Sequence, residues 1–363
     1  MEFKGIDLFS GCGGLSLGAE WAGIKIAAAV ETESDAAETF KRNHPGTVVF
    51  NKNIETMDPA RVKEEIFAGE SPFILIGGPP CQGFSVSNRQ SRNMENENNS
   101  MYLYFLEFIK HLSPDWILFE NVEGLKLFEK GLILNKILKN FCELGYKVKS
   151  SVLNAADYGV PQMRKRLFIV GWKDEKIDFK FPGAVNGGKY VSVDEAFSDL
   201  PGLRNGDCFP ALKYRKNSGL SEYQRKIRNG NGETYNHFVS RNKDYVVDRY
   251  KYIKQGGNWT NIPQELFSNY KDKSMCHSSI YYRLRPDKPS VVIGNYRKNM
   301  LIHPYQDRGL SVREAARLQS FPDDFTFWGL LGSQQQQVGN AVPPLLSEAI
   351  FREIVKYAGG GHA

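Results

Sequence analysis

The sequence lacks long apolar runs, internal repeats and a signal-peptide pattern at its amino terminus. A bilayer-spanning helix needs about 20 consecutive apolar residues, so we expect no membrane segment, no membrane partner and no secretion. Cysteine is also scarce, because the 363 residues include only five and no two of them form a CxxC pair. This scarcity argues against a disulfide framework and against a zinc site, and it is typical of a reducing cytoplasm.

Positive charge is modest overall and unevenly distributed. The whole chain carries a formal charge of +6, whereas residues 204–298 contain 19 Lys and Arg against 8 Asp and Glu, a local excess of +11. Tyrosines, phenylalanines and a tryptophan are interleaved with these basic residues. The pattern favours a polyanionic partner such as nucleic acid, and a solvated charged face is the plainer alternative.

Short apolar runs alternate with helical patterns through the first half of the chain, which predicts an α/β fold with a mostly parallel, doubly wound sheet. The predicted strands are residues 3–9, 26–30, 47–50, 73–76, 116–119, 148–153 and 167–170. The alternation is lost after residue 181. We therefore predict an α/β domain at 1–181, a smaller irregular and β domain at 182–310, a connecting region at 311–334, and a carboxyl-terminal helix at 335–358.

A cysteine follows the fourth predicted strand, in the segment Gly-Gly-Pro-Pro-Cys-Gln-Gly-Phe-Ser at residues 77–85. Ligands of open α/β sheets bind outside the carboxyl ends of the strands, and paired prolines fix the path of the chain there. Cys81 is thus a candidate nucleophile, with a buried structural thiol as the alternative. The polar stretch at 85–99 that follows is typical of a mobile active-site lid.

Glycine turns and polar residues also follow or end other predicted strands. A glycine turn at 11–14 follows the first strand. Such a turn lets the backbone approach a ligand closely. This one lacks the GxGxxG spacing of dinucleotide enzymes. Glu31 ends the second strand, where an acid can accept from ribose hydroxyls. Glu120 ends the fifth strand, at the same predicted edge as Cys81. Strand alternation places Gln162, Arg164 and Arg166 on one side, which suits an oxygen-rich ligand.

Taken together, these segments resemble the DNA (cytosine-5-)-methyltransferase family of the bacterial restriction-modification type. The resemblance covers nearly the whole chain, and its motifs occur in the family's order. They are 7–18, Glu31, the Pro79-Pro80-Cys81-Gln82 loop, Glu120-Asn121-Val122, the 162–166 strand, 313–322 and Gly339-Asn340-Ala341-Val342-Pro343-Pro344. The resemblance implies a Rossmann-like S-adenosylmethionine-dependent methyltransferase fold with a smaller target-recognition domain. It implies that 1–181 is the catalytic and cofactor-binding domain, that 182–310 recognises the target, that 311–334 is a hinge region, and that the helix at 335–358 returns to the catalytic domain.

The family chemistry assigns roles to the catalytic residues. Cytosine C5 is a poor nucleophile, so Cys81 is expected to add to C6 and make the ring an enamine. Glu120 is expected to bind the N3/N4 edge, Arg166 the cytosine O2, and Arg164 to support the site. The base must leave the duplex to reach these groups.

The resemblance also implies S-adenosyl-L-methionine as the methyl donor. Its expected contacts are Phe9, Gly11, Gly13, Gly14, Glu31, Asn53, Ile54, Pro79 and Asn340. The chain departs from the family at Lys52-Asn53-Ile54, where Gly-Asp-Ile is usual. The usual Asp accepts from the adenine amine, and an Asn oxygen accepts without charge assistance. On this basis Asn53→Asp is expected to tighten cofactor binding.

Double-stranded DNA is the expected partner. Gln82, Ser85, Ser87 and Gln162 are expected to contact it, with Ser87 a candidate to fill the space left by the flipped base. The basic segment would grip phosphates and read bases. The family resemblance further implies a monomer in the cytoplasm of a bacterial or phage-infected cell, with a possible cognate endonuclease that acts separately.

Three alternatives have different discriminating features. A transfer-RNA cytosine methyltransferase shares the chemistry, but its relatives tend to lack an extended recognition segment. A non-catalytic DNA-binding regulator need not retain Cys81, Glu120, Arg164 and Arg166. A nicotinamide-dependent oxidoreductase is suggested only by the glycine turn, whose spacing is wrong for it.

Overall fold

The computed structural model describes residues 2–80, 101–216, 219–228, 230, 232–267, 279–294, 296 and 300–360. The chain divides into two compact units. Unit 1 comprises residues 1–155, 165–184 and 344–363, and unit 2 comprises residues 156–164 and 185–343. Within the described residues, no helix combines the length and apolar character needed to cross a membrane.

Unit 1 is built on a seven-stranded sheet with the strand order β3-β2-β1-β4-β5-β7-β6. Its strands are β1 (Lys4–Leu8), β2 (Lys25–Glu31), β3 (Val48–Asn51), β4 (Ile74–Gly77), β5 (Trp116–Val122), β6 (Lys147–Asn154) and β7 (Lys165–Trp172). The first five strands pair in parallel, and β7 runs antiparallel to both of its neighbours. The predicted α/β class with a mostly parallel sheet is confirmed.

Helices and apolar side chains enclose this sheet. The helices of unit 1 are α1 (Gly14–Trp21), α2 (Ser34–Asn43), α3 (Pro59–Phe67), α4 (Met101–Leu112), α5 (Gly124–Leu127), α6 (Leu132–Glu143) and α12 (Pro344–Ala358). The central strand β4 is buried along its whole length, and the rings of Phe105, Phe119 and Phe141 pack together beside it. Strands buried on both faces read as continuous apolar runs, which is why the sequence predicts them.

The strand β5 extends further than the sequence predicts. Its parallel ladder with β4 stops at the pair Gly77–Phe119, but its antiparallel ladder with β7 continues to the pair Val122–Arg166. Glu120 therefore lies within β5, one residue beyond the point where β4 stops pairing. The carboxylate remains at the carboxyl edge of the parallel strands, as predicted, but a strand holds it and not a loop.

Unit 2 contains shorter elements. They are α7 (Val193–Phe197), β8 (Cys208–Lys213), α8 (Glu222–Arg228), β9 (Glu233–Phe238), α9 (Asp244–Tyr250), α10 (Val312–Leu318) and α11 (Leu331–Asn340). Strands β8 and β9 form an antiparallel pair. Buried ion pairs hold α10, because Arg317 contacts both Asp199 and Asp323 at 2.9 and 2.6 Å and all three side chains are fully buried.

The unit boundaries differ from the predicted domain boundaries. Residues 156–164 join unit 2, and residues 311–343 also belong to unit 2, so the helix that returns to unit 1 begins later than the predicted residue 335. The reason is that the polar side chains of this region are satisfied within unit 2. Arg313 donates to Tyr235 O at 2.8 Å, and Gln335 donates to Ser240 at 2.9 Å. The chain re-enters unit 1 at Pro344, where α12 begins. The hinge role of 311–334 stays a prediction.

A test of the α1–α12 packing in unit 1 is Gly18→Ala. A Cβ at Gly18 would lie 2.0 Å from Ser347 Oγ and 2.7 Å from Pro344 O. We expect overpacking to cost about 1–3 kcal/mol and to lower the melting temperature by roughly 2–12 °C in differential scanning calorimetry. The control is Gly183→Ala, whose Cβ would lie in open space. Equal melting of the two variants would show that this close approach is absent.

Candidate active site

An ion pair lies at the carboxyl edge of the sheet in unit 1. Arg166 Nε lies 3.0 Å from Glu120 Oε1, and both side chains are largely buried, with exposed fractions of 14% and 13%. Burial lowers the pKa of Arg166, and the neighbouring Glu120 carboxylate opposes that shift. The pair presents a carboxylate and a guanidinium side by side, so it can bind a planar group that offers both donors and acceptors.

Glycine at the end of β4 makes room for this carboxylate. A Cβ at Gly78 would lie 2.7 Å from Glu120 Oε2, which is closer than carbon and oxygen pack. A Cβ at Gly77 would lie 2.3 Å from the carbonyl oxygen of Leu8. Beyond them, Asn121 Nδ2 donates to Pro79 O at 3.2 Å. The segment that leads to Cys81 is thus fixed to β5 on both sides of the Glu120 carboxylate.

The side chains at 162 and 164 lie in unit 2, whereas Arg166 lies in unit 1. The predicted alternation holds, because Gln162 and Arg164 are buried and Met163 and Lys165 are exposed. Arg164 is fully buried, and its Nη2 donates to the carbonyl oxygens of Gly339 and Asn340 at 3.0 and 3.3 Å. These bonds hold the end of α11, and the site-supporting role predicted for Arg164 stays a prediction.

Gln162 has its hydrogen-bond partners inside unit 2, and its DNA-binding role stays a prediction. The residue is completely buried, its Nε2 donates to Leu318 O and Gln319 Oε1, and its Oε1 accepts from the backbone of Ile293. A buried amide with these partners serves the interior of unit 2. The sequence places it beside two arginines but gives no sign of partners about 150 residues away.

The glycine turn follows β1 as the sequence predicts. Phe9, Gly11 and Gly13 all have positive φ, at 60°, 56° and 94°, and α1 begins at Gly14. A Cβ added at Gly11 would have no heavy atom within 4 Å, so lack of space does not require glycine there. The positive φ of Gly11 does. Gly13 has a second reason, because a Cβ there would collide with the ring of His44.

Glu31 ties this turn to the end of β2. Its Oε2 accepts from the backbone of Gly11 at 2.7 Å, and its Oε1 accepts from the backbone of Glu33 at 2.8 Å. Burial raises the pKa of Glu31, and these backbone donors oppose that shift. Each carboxylate oxygen can accept more than one hydrogen bond, so Glu31 remains able to bind hydroxyl groups of a ligand.

A cavity of about 320 Å³ opens beside the turn. Its lining residues are Phe9, Val30, Glu31, Thr32, Lys52, Asn53, Ile54, Glu55, Pro80 and Met101. Four of the predicted cofactor contacts line it: Phe9, Glu31, Asn53 and Ile54. The aromatic ring, the apolar walls and the few polar groups fit a nucleoside, and the volume lies in the range of small-molecule sites.

Other predicted contacts lie elsewhere or outside the described residues. The carbonyl oxygen of Pro79 accepts a hydrogen bond from Asn121, and the next residue, Pro80, lines the cavity. Asn340 lies in unit 2 at the end of α11, where its Oδ1 accepts from Gln336 at 2.6 Å. The predictions for Cys81, Gln82, Ser85 and Ser87 fall outside the described residues.

Six lining residues were not among the predicted contacts: Val30, Thr32, Lys52, Glu55, Pro80 and Met101. Glu55 is recognisable in retrospect, because Asn53 is a helix-capping residue type and the capped turn brings the residue two positions later to the same edge. Met101 begins α4, after the polar stretch, and the sequence carries no signal for its position.

Two buried side chains near the glycine turn, Asp7 and Cys12, have strongly raised pKa values. Ser16 Oγ donates to Asp7 Oδ2 at 2.5 Å, and burial raises the pKa of Asp7 to about 8. Glu31 and Glu20 raise it further, whereas Ser16 lowers it. Burial also raises the pKa of Cys12 to about 12. Cys12 therefore remains a thiol at neutral pH and is not a nucleophile.

The chain is similar to several known proteins along nearly its whole length. The family model described as C-5 cytosine-specific DNA methylase matches residues 3–356. The type II methyltransferase M.DdeI of Desulfomicrobium norvegicum is 35% identical over 97% of this chain and 88% of its own length. The type II methyltransferase M1.HphI of Haemophilus parahaemolyticus is 36% identical over 98% and 87%. A solved Escherichia coli prophage structure, assigned as a DNA modification methyltransferase, has a TM-score of 0.79 at 26% identity and covers 98% of this chain and 99% of its own.

The buried Asp7 makes stability depend on pH. An unfolded Asp titrates near pH 3.9, so between about pH 4 and pH 8 the folded protein keeps a proton that the unfolded chain has released. The free energy of unfolding therefore falls as pH rises through this range. Asp7→Asn removes the dependence and still offers Ser16 an acceptor. We expect its melting temperature, relative to wild type, to rise steadily from about pH 5 to about pH 8. A pH-independent difference would contradict the assignment.

Proposed function

Because the chain belongs to the C-5 cytosine-specific DNA methylase family and is a DNA (cytosine-5-)-methyltransferase, we propose that it methylates a cytosine that has left the DNA duplex. The methyl donor is S-adenosyl-L-methionine, and Cys81 forms a transient covalent bond with C6. The observation that carries the proposal is the Glu120–Arg166 pair, for whose carboxylate Gly78, three residues before Cys81, leaves the space.

The pair matches the edge of cytosine. The exocyclic N4 amine donates a hydrogen bond, whereas O2 accepts one. Glu120 offers acceptor oxygens and Arg166 offers donors, so one carboxylate and one guanidinium bind both kinds of group. Glu120 also stabilises the proton that N3 gains as the ring accepts electrons. The ion pair holds both side chains in place before the base arrives.

Cys81 supplies the nucleophile. Its thiolate adds to C6, the C5–C6 π electrons move toward C5, and the nucleophilic C5 takes the methyl group, whose bond to the donor sulfur breaks and leaves its electron pair on that sulfur. A base then removes the proton from C5, the C6–S bond breaks, and Cys81 leaves as a thiolate. The ring regains its double bond, so the protein is unchanged at the end. Cys12 cannot substitute, because its thiol is buried and stays protonated.

The cavity beside the glycine turn fits the donor. When bound there, S-adenosyl-L-methionine supplies an electrophilic methyl group on a sulfonium. Phe9 and Ile54 offer apolar surface to the base, and Glu31 accepts from the ribose hydroxyls. The open space over Gly11 admits the methionine part. Pro80 lines this cavity and directly precedes Cys81, so one segment serves both the donor and the nucleophile.

Double-stranded DNA is the proposed substrate, with the basic stretch at 204–298 as the source of phosphate and base contacts. An enzyme that modifies a base inside a duplex must extrude that base first. The relatives are named type II methyltransferases, so we place the protein in a restriction-modification system. It acts there as a cytoplasmic monomer, separate from any cognate endonuclease.

Base-resolution sequencing tests the reaction and the substrate together. Unmethylated plasmid is incubated with the protein and S-adenosyl-L-methionine and then treated with bisulfite. We expect protected cytosines that share one short motif, and no protection with Cys81→Ser, because a hydroxyl is far less nucleophilic than a thiolate. The variant should still retard duplex DNA in a binding assay. Normal protection by Cys81→Ser would remove Cys81 from the mechanism, and binding without protection by wild type would indicate a non-catalytic regulator.

The space at Gly78 provides a second test. Gly78→Ala should push the Glu120 carboxylate away from its position and reduce the methylation rate by about 10²-fold, the loss we also expect for Glu120→Gln. Binding of S-adenosylhomocysteine should be unchanged in both variants, because Glu120 does not line the cavity. Gly183→Ala is the matched control and should keep full activity. A normal rate in Gly78→Ala would show that the Glu120 position is not critical.

A further inference from the structure

We propose that Glu55 determines the base specificity of the nucleotide cavity, with its carboxylate as acceptor for the exocyclic amine of a purine and with Asn53 as the residue that positions it. The inference rests on the proposed function, because it takes the adenosyl group of S-adenosyl-L-methionine as the ligand. Asn53 and Glu55 both line the cavity that also contains Phe9 and Glu31.

Reciprocal hydrogen bonds join Asn53 and Glu55. The backbone N–H of Glu55 donates to Asn53 Oδ1 at 3.1 Å, which caps the short helical turn Ile54–Thr56. Asn53 Nδ2 in turn donates to Glu55 Oε2 at 3.2 Å. The backbone bond fixes which end of the amide is oxygen, so the amide nitrogen faces the carboxylate. The arrangement gives the Glu55 side chain a preferred direction, although both residues are exposed.

The cavity already has an acceptor for hydroxyl groups in Glu31, which is anchored at the glycine turn. The remaining carboxylate among the lining residues is Glu55. Since Asn53 Oδ1 is engaged in capping, the charged acceptor on this side of the cavity is the Glu55 carboxylate. The aromatic ring of Phe9 and the side chain of Ile54 offer apolar surface for a flat base between these polar groups.

A carboxylate distinguishes purines by what they carry at position 6. Adenine offers an amine, which donates to the carboxylate. Hypoxanthine offers a carbonyl oxygen, which a carboxylate repels and cannot pair with. A charge-assisted hydrogen bond that the adenine ligand makes and the hypoxanthine ligand lacks corresponds to about a 10- to 100-fold preference for the adenine ligand.

The pairing reverses the expectation drawn for Asn53 from the sequence. Asn53→Asp would remove the Nδ2 donor and place a second carboxylate beside Glu55, so the two would repel each other. We therefore expect weaker binding of an adenosyl ligand by Asn53→Asp. The double variant Asn53→Asp/Glu55→Gln should restore binding, because the amide introduced at position 55 would donate to the carboxylate introduced at position 53. The two side chains would then have exchanged their roles, and the cavity would keep one charged acceptor.

Calorimetric titration of the full chain with two probes tests this inference. The probes are S-adenosylhomocysteine and S-inosylhomocysteine, which differ in the group at position 6. We expect wild type to prefer the adenosyl probe about 10- to 100-fold, and Glu55→Gln to reduce that ratio to below about 5-fold, since a Gln amide can donate to the carbonyl. Glu65→Gln, an exposed carboxylate on α3 that pairs with Arg61, is the matched control and should keep the wild-type ratio.

The outcomes separate the inference from the function on which it rests. Binding of S-adenosylhomocysteine by wild type with an unchanged ratio in Glu55→Gln would overturn the role of Glu55 and leave the proposed function standing. Failure of wild type to bind either probe would overturn both. Tighter adenosyl binding by Asn53→Asp alone would overturn the positioning role of Asn53. Recovery of the ratio in the double variant supports the pair, because a structural defect at either position would not be repaired by the other change.

Discussion

The candidate active site depends on where one strand stops. β4 ends its pairing at Gly77, whereas β5 continues to Val122 along β7. The gap beside β5 is occupied by the Glu120 carboxylate, which needs a glycine at position 78 to fit. Because the ladder between β5 and β7 includes the pair Val122–Arg166, Arg166 is held close enough to pair with Glu120. A longer β4 would fill the gap with backbone, and a shorter β7 would remove the guanidinium, so the two strand lengths together produce the site.

The two halves of unit 1's site are held by different kinds of interaction. Around the cavity, backbone N–H groups orient Glu31 and a backbone N–H orients Asn53, so the local chain path fixes the polar side chains. At the sheet edge, Glu120 and Arg166 orient each other. The first arrangement tolerates ligand binding and release with little change, because backbone donors remain in place. In the proposed reaction the second would exchange an ion pair for contacts with a base, which suits a group bound only during reaction.

The sequence predicted well what depends on neighbouring residues. Buried strands read as apolar runs, and the acids at their ends follow from the chain order, so the sheet, Glu31 and Glu120 were predictable. Side chains whose partners are distant in sequence were not. Gln162 and Arg164 share an apparent strand face with Arg166, yet their partners near residues 319 and 340 draw them into unit 2. From the sequence, Asn53 is interpreted as a weaker acceptor than the usual Asp. Its hydrogen bond with Glu55 appears only in the structure.

Charge counted along a sequence also differs from charge available to a partner. Residues 204–298 carry an excess of +11, but some arginines in that stretch are structural. Arg228 pairs with Asp199, and Arg283 pairs with Asp307, and both acids lie outside the stretch. Counting these two partners reduces the effective excess to about +9. Because a buried, paired guanidinium contributes little to binding of phosphates, the DNA contacts proposed for unit 2 would come from its exposed lysines and arginines, and the arginines of its interior fix the framework that presents them.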